Sequence, residues 1–190
     1  RPACPLRSSG AFGGGGRSDA RAGRLSPPVP RRLRISPLTA GDVGPWIDVL
    51  AASGDRGAAI LLRVDGAELG QIEACLSALD RIGVGVIVHA RCGGASSHPG
   101  VLGVHLPAWE HAVLWRDRVP GLLGQSVHTQ AEALSAVAGG VDYVMVSPVF
   151  TPRSKPNDTR PTLGLDGLRA VCAAVRVPVE RAVGGRPLPA

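Results

Sequence analysis

The sequence lacks the patterns that would assign it directly to several common function classes. No two of its four cysteines have the Cys-x-x-Cys spacing of a zinc or dithiol site. No apolar run is long enough to span a bilayer, and no Gly-x-Gly-x-x-Gly follows the first candidate strand, so neither a membrane anchor nor a dinucleotide site is predicted. The scattered placement of the cysteines predicts reduced, mostly buried thiols in a cytoplasmic protein; they are Cys4, Cys75, Cys92 and Cys172.

Lysine is also nearly absent, because Lys155 is the only one among 21 lysines and arginines. The net charge of +6 suggests a nucleic-acid partner until its location is considered. Residues 1–34 hold eight arginines and a single acidic residue, a net charge of +7. Residues 35–190 hold 13 basic and 14 acidic side chains, a net charge of −1. The basic character belongs to the leader, so no nucleic-acid partner is predicted for the folded part.

Residues 1–32 form a Gly-, Pro- and Arg-rich leader without apolar periodicity, which predicts disorder. Residues 33–190 are predicted to form one domain, since their length and apolar content suffice for a single core. The chain does not start with Met, and the leader has no obvious amphipathic face. We therefore expect a translated upstream region or a fragment boundary rather than a transit peptide.

Strands and helices alternate from residue 33 onward. Apolar runs predict seven strands, at residues 33–36, 58–63, 84–89, 101–106, 122–126, 141–146 and 177–183. Helical periodicity and start signals predict helices at residues 39–52, 67–81, 110–116, 129–138 and 165–175. This alternation indicates parallel strands joined by right-handed crossovers. The predicted fold is α/β, either a TIM (β/α)8-type barrel lacking its last helix–strand unit or an open doubly wound sheet.

Polar residues at the strand ends favour the barrel. Arg63, His89, Ser126 and Ser147 each lie where an apolar strand stops. In a barrel these ends converge on one face, where barrel enzymes place their chemistry, whereas an open sheet would spread them along an edge.

An ordered set of motifs spans the same region: Gly103-Val-His-Leu106, Gly124-x-Ser-x-His128, Asp142-Tyr143, Ser147-Pro-Val-Phe150, Lys155, Gly164-Leu-Asp-Gly-Leu168 and Gly184-Gly185. In order and spacing this set resembles the thiamine phosphate synthase/TenI family from about residue 33 to residue 185. The resemblance implies a barrel that binds hydroxymethylpyrimidine diphosphate and thiazole phosphate. Aided by Mg²⁺ and basic groups, such a barrel expels pyrophosphate, and the thiazole nitrogen captures the pyrimidine cation to give thiamine phosphate.

The resemblance implies roles for individual residues. Arg63 and Lys155 match the family's diphosphate-binding cations, and Ser126 matches a hydroxyl-bearing position for phosphate groups; these three are the candidate catalytic residues. Positioned cations and hydroxyl donors lower the barrier because negative charge builds on the leaving diphosphate. The candidate substrate-binding residues are His89, Ser154, Gly184 and Gly185, and the candidate Mg²⁺ ligand is Glu110. His128 is interpreted as a helix cap and His105 as a packed core histidine.

Several positions depart from the family pattern. Leu61 and Asp65 stand where the family has a pyrimidine-binding Gln and a phosphate-binding Lys, and Ala90 replaces a magnesium carboxylate. Pro148 occupies the position of the histidine used by TenI-type tautomerases, which argues against that activity. Three functions stay open: a synthase that joins the two phosphorylated substrates, a thiazole tautomerase, and a non-catalytic barrel that binds a phosphate-bearing ligand. Catalysis by this chain is likewise left open, and a homo-oligomer is neither required nor excluded.

Overall fold

The computed structural model describes residues 27–54, 58–151 and 161–181. Its seven strands are Leu33–Ile35 (β1), Ala59–Leu62 (β2), Val86–His89 (β3), Val101–Leu106 (β4), Leu122–Val127 (β5), Tyr143–Val146 (β6) and Val179–Arg181 (β7). Its α-helices are Ala40–Ser53 (α1), Leu69–Arg81 (α2), Ala112–Trp115 (α3), Gln130–Ala138 (α4) and Gly164–Ala174 (α5). Two 3-10 helices, Ala90–Ser97 and Arg116–Arg118, complete the described elements.

All the described strands are parallel and lie side by side in chain order, β1 to β7. A doubly wound sheet reverses its strand order at a switch point, and this sheet does not. Sequential parallel winding is the pattern of a TIM-type barrel, so the predicted fold class is confirmed. Residues 1–26 of the predicted disordered leader lie outside the described residues, as do residues 182–190, after which the last helix–strand unit was predicted to be missing.

Alternate strand residues face two different hydrophobic layers. Ile60 and Leu62 of β2 belong to the larger core, which includes Val43, Ile47 and Leu50 of α1. Leu61, between them, belongs to a second cluster that lies inside the barrel with Ile87, Leu122, Tyr143 and Met145. Because side chains alternate across a strand, one face of the sheet packs against helices and the other fills the barrel. The second cluster unites β2, β3, β5 and β6, as expected when a sheet curls around its own interior.

The helices follow their sequence signals. In α1 the buried Val43, Ile47 and Leu50 recur at helical spacing, and the helix ends at Gly54, whose φ of 64° is the left-handed conformation that favours glycine. In α2 the backbone N–H of Glu68 donates to the side chain of Gln71, which caps the start of the helix.

The structure differs from the sequence prediction mainly on the β3–β5 side. The Gly- and Ser-rich segment predicted as a loop forms the 3-10 helix Ala90–Ser97. The helix predicted for residues 110–116 is a single α-helical turn followed by the second 3-10 helix. Three tight hydrogen bonds from Arg116 hold the end of this segment before β5.

Arg116 joins the segments that precede β5 and β6, at the strand ends opposite the candidate site. Its guanidinium donates to the carbonyls of Val119 and Gly121 at 2.6 and 2.7 Å and to the carboxylate of Asp142 at 2.7 Å. The same carboxylate accepts the N–H of Leu123 at 2.8 Å. These residues precede β5 and β6, so the family-like Asp142 serves stability at the amino ends of the strands.

Two further sequence expectations can be compared with the described residues. All three described cysteines are free, but only Cys92 is buried, while Cys75 is half-buried and Cys172 is exposed. The prediction of mostly buried thiols is therefore wrong for Cys172. Within the described part of the chain, no helix is both long and apolar enough to cross a membrane.

Candidate active site

The candidate site lies where the parallel strands end. Arg63 directly follows β2, His89 is the last residue of β3, and Ser126 is the penultimate residue of β5. His105 of β4 links them: its ring centroid lies 6.1 Å from that of His89, and its Nε2 lies 2.9 Å from Ser126 Oγ. The structure thus brings three of the predicted site residues together around a histidine that the sequence analysis treated as core.

Arg63 is fixed by a residue that the sequence analysis did not single out. The backbone N–H of Arg63 donates to Ser36 Oγ at 2.9 Å, and the same hydroxyl lies 3.2 Å from the carbonyl of Arg63. Ser36 is buried and immediately follows β1. In retrospect, its position beside the end of β2 in a parallel pair was the available signal.

The guanidinium of Arg63 has spare donor capacity. Its Nη2 lies 3.7 Å from the carboxylate of Asp65, and its Nε is buried without a hydrogen-bond partner among the described residues. A buried unpaired donor is costly unless a ligand or water accepts from it. Arg63 therefore presents a charged donor that suits an anion.

Asp65 also reaches the next strand end. Its carboxylate lies 3.4 Å from Nη1 of Arg91, whose guanidinium lies 5.2 Å from the ring centroid of the exposed Trp109. The ion pairs and the cation–π contact hold the loops after β2, β3 and β4 against each other.

His89 is neutral at physiological pH. Burial, the charge of Arg63 and the charge of Arg91 lower its pKa to about 4. Its Nδ1 accepts the backbone N–H of Arg91 at 3.3 Å, so the neutral ring carries its proton on Nε2. His89 thus offers a neutral N–H donor beside Arg63.

His105 is a core histidine, as predicted, but it is also bonded at both ring nitrogens. Burial, followed by the nearby His89 and Arg63, lowers its pKa to about 3. Nδ1 lies 2.9 Å from the hydroxyl of Tyr143, and Nε2 lies 2.9 Å from that of Ser126. Tyr143 was not predicted as part of the site, and the Asp-Tyr motif was the only sequence signal for it.

Glu110, the predicted metal ligand, lies in the loop after β4. Its Oε2 accepts the indole N–H of Trp115 at 3.0 Å, and its backbone carbonyl accepts from the buried amide of Gln125 at 2.7 Å. The loop is therefore anchored to β5, with one carboxylate oxygen left for a ligand. Within the described ranges, no group of three or more His, Cys, Asp or Glu side chains could hold a metal ion. These residues fit a magnesium ion only if the substrate supplies most of its ligands.

His128 differs from its predicted role. Thr129 caps α4 by accepting the N–H of Glu132 at 3.1 Å, whereas the N–H of His128 donates to the carboxylate of Glu132 at 2.7 Å. The His128 Nδ1 bonds to the carbonyl of Ser147, which ties the ends of β5 and β6 together. Four predicted site residues lie outside the described ranges: Ser154, Lys155, Gly184 and Gly185.

Comparison with known proteins identifies the family. The family model described as thiamine monophosphate synthase matches residues 57–187. The thiamine-phosphate synthase of Anaeromyxobacter dehalogenans is 32% identical over 163 residues, covering 82% of this chain and 72% of that protein. The thiamine-phosphate synthase of Chloroflexus aurantiacus is 41% identical over 107 residues, covering 55% of this chain and 48% of that protein. The match therefore spans about half the length of the Chloroflexus protein.

A solved structure of a related protein is also similar to this chain. The thiamine phosphate pyrophosphorylase from Pyrococcus furiosus has a TM-score of 0.63 and 25% sequence identity, covering 82% of this chain and 75% of that one. The family model covers more than half of the chain, and the strands follow the barrel order. This chain therefore belongs to the thiamine monophosphate synthase family.

Proposed function

We propose that this chain acts as a thiamine phosphate synthase-type transferase. Its substrates are hydroxymethylpyrimidine diphosphate and thiazole phosphate, and its products are thiamine phosphate and pyrophosphate. The observation that carries the proposal is the guanidinium of Arg63, with its buried unpaired Nε, beside His89 and the bonded pair His105–Ser126. Family membership supports the choice of substrates.

The proposed reaction breaks the bond between the pyrimidine methylene carbon and the diphosphate oxygen. The electron pair leaves with the diphosphate, and the thiazole nitrogen then donates its lone pair to the carbon. Arg63 binds the diphosphate oxygens and interacts with them more strongly as their charge grows. Lys155 is proposed to bind the same group, Ser126 to donate a hydrogen bond to it, and Ser154, Gly184 and Gly185 to contribute phosphate contacts.

Magnesium remains part of the proposal. Glu110 would provide one protein carboxylate, and the diphosphate and water would supply the other ligands. When bound, the ion would neutralise charge on the leaving group. The cytoplasmic location inferred from the cysteines stays a prediction, as does any self-association.

The non-catalytic alternative is favoured by one observation. Asp65 places a carboxylate beside Arg63 and Arg91, where the resemblance implies a lysine. An anion at this position weakens the positive potential available to a diphosphate. The chain would then bind a singly phosphorylated ligand without catalysing the transfer.

The deciding experiment incubates the purified protein with both substrates and MgCl₂ and measures thiamine phosphate and pyrophosphate. We expect equal amounts of the two products, and we expect Arg63→Ala to abolish their formation while Arg169→Ala, at an exposed helix position, leaves it unchanged. Absence of product from the wild-type protein, with phosphate binding retained, would support the binding barrel instead.

A further inference from the structure

A chain of three buried or half-buried side chains runs from the barrel interior to the candidate site. Tyr143 of β6 and His105 of β4 are both 1% exposed, and their rings stack with centroids 5.6 Å apart. Hydrogen-bond distances of 2.9 Å join Tyr143 Oη to His105 Nδ1 and His105 Nε2 to Ser126 Oγ. Of these three residues, only Ser126, which lies nearest the candidate site, is partly exposed.

The direction of these hydrogen bonds follows from the phenol. Burial raises the pKa of Tyr143, with smaller contributions from Glu180 and Asp142, so its hydroxyl keeps its proton. Within the described residues, His105 Nδ1 is the one acceptor within reach of that proton. The opposite direction would leave the O–H unsatisfied in the interior, which is unfavourable. Tyr143 therefore donates to His105.

The tautomer of His105 is then fixed. A neutral imidazole that accepts at Nδ1 carries its proton on Nε2, and that N–H donates to Ser126 Oγ. The oxygen of Ser126 is thereby used as an acceptor, and its own proton is left to point elsewhere. The opposite tautomer would take the serine proton and leave only lone pairs for a ligand.

The side chains near Ser126 are also hydrogen-bond donors. Arg63 has an unpaired Nε–H, and the neutral His89 carries its free proton on Nε2 because Nδ1 accepts from the backbone of Arg91. With Ser126 acting as a donor, the three described side chains all offer hydrogen to a ligand. These three donors suit the oxygens of a phosphate group.

We propose that Tyr143 and His105 are positioning residues that orient Ser126 as a hydrogen-bond donor to an oxygen of the leaving diphosphate. This inference rests on the proposed function for the identity of the ligand. It also explains why a tyrosine and a histidine are buried in the barrel interior, where aliphatic side chains would fill the space without hydrogen bonds.

The first test measures the tautomer directly. Nitrogen-15 NMR of histidine-labelled protein should show His105 protonated on Nε2 and unchanged between about pH 5 and pH 8. In Tyr143→Phe, the tautomer preference should be lost. A wild-type protein with the proton on Nδ1 would overturn the inference whatever the activity of the chain.

The second test is a double-mutant cycle on turnover. Tyr143→Phe and Ser126→Ala should each lower kcat by about tenfold to a hundredfold, with the thermal midpoint of Tyr143→Phe close to the wild-type value. Tyr143→Phe should have no further effect in the Ser126→Ala background, because it acts through the serine. Equal losses in the two backgrounds would show that Tyr143 acts independently of Ser126 and would contradict the inference.

A third comparison separates a loss of activity caused by lost positioning from one caused by unfolding. His105→Gln keeps an N–H donor within reach of Ser126, so it should retain more activity than His105→Leu at equal stability. Equal activity of the two would count against the proposal. If the wild-type protein forms no product, the proposed function fails. The same variants are then compared by their affinity for pyrophosphate, which should be higher for His105→Gln than for His105→Leu. Unchanged pyrophosphate affinity in all of them would refute the positioning role.

Discussion

The carboxylate of Asp65 lies 3.7 Å from Nη2 of Arg63, so the arginine proposed to bind the diphosphate already has an anionic neighbour. Both side chains are partly exposed, and water screens their attraction. A diphosphate with several negative charges can therefore compete with Asp65 for the guanidinium. We therefore expect the carboxylate of Asp65 to reduce the affinity of the proposed site for a diphosphate without abolishing it.

Asp65→Asn tests this competition. Removing the negative charge while keeping the shape should tighten pyrophosphate binding about two- to fivefold, since an ion pair of this exposure is worth up to about 1 kcal/mol. Isothermal titration calorimetry at low salt measures the change. Asp166→Asn, which removes an exposed carboxylate paired with Arg169, is the matched control and should leave the affinity unchanged. Weaker pyrophosphate binding by Asp65→Asn would show that Asp65 supports the site rather than competing within it.

Gly124→Ala tests the packing beneath the site. A Cβ at Gly124 would lie 2.0 Å from Cζ of Tyr143, closer than any real contact. The rigid ring of Tyr143 would have to shift as a whole to make room for it. We expect a loss of about 1–3 kcal/mol in the free energy of unfolding, together with reduced turnover because Tyr143 is displaced from His105. Chemical denaturation and product assays measure the two effects. Gly70→Ala in α2, where a Cβ meets nothing within 4 Å, should be neutral or slightly stabilising. Equal stability of the two variants would mean that the Tyr143 ring adapts freely.

The buried histidines predict a pH dependence of stability. The pKa values of His89 and His105 fall from 6.5 to about 4 and about 3 on folding, so below pH 6.5 the unfolded state binds protons that the folded state does not. The stability contributed by the neutral rings is complete above pH 6.5 and is lost as the pH falls toward 4 and then 3. Each histidine contributes a slope of at most about 1.4 kcal/mol per pH unit.

Denaturant titrations between pH 7 and pH 4 check this dependence. His105→Gln removes one titrating group and should flatten the decline in the free energy of unfolding. A slope that His105→Gln does not change would show that His105 titrates alike in both states.

Arg116→Ala tests the contacts that join the segments before β5 and β6. The substitution leaves Asp142 and the carbonyls of Val119 and Gly121 without their shared donor. We expect a loss of about 2–4 kcal/mol in the free energy of unfolding, because the pair is largely shielded from solvent. Arg169→Ala breaks a fully exposed pair and should cost less than about 1 kcal/mol. Similar values for the two would remove the structural role assigned to Arg116.

The sequence was sufficient to predict the order of elements and the barrel. Uninterrupted apolar runs such as Ile60–Leu62, bounded by charge, mark strands buried on both faces, and they alternate with periodic helices. The 3-10 helix at Ala90–Ser97 was missed because its composition is that of a loop, and tertiary contacts decide its conformation. Strand ends were predictable, so Arg63, His89 and Ser126 could be placed on one face.

The hydrogen-bond partners of those residues were not predictable from sequence. The polar character of Ser36, His105 and Tyr143 is visible, but which of them touch depends on the register and curvature of the sheet. His105 pairs in register with Gly124, and Gly124 with Tyr143, so the ring of Tyr143 crosses over the glycine to reach the histidine. This contact between β4 and β6 is possible because Gly124, on the strand between them, has no side chain where the Tyr143 ring lies.

The central claim is that Arg63 and Lys155 bind one diphosphate. The most direct test measures the affinity for pyrophosphate of Arg63→Ala, Lys155→Ala and the double variant. Each single variant should bind pyrophosphate about tenfold to a hundredfold more weakly than the wild type, with the fold of Arg63→Ala unchanged by circular dichroism. The double variant should lose less than the product of the two single effects, because both cations act on the same ligand. Wild-type affinity in Arg63→Ala, or strictly independent effects of the two substitutions, would contradict the account.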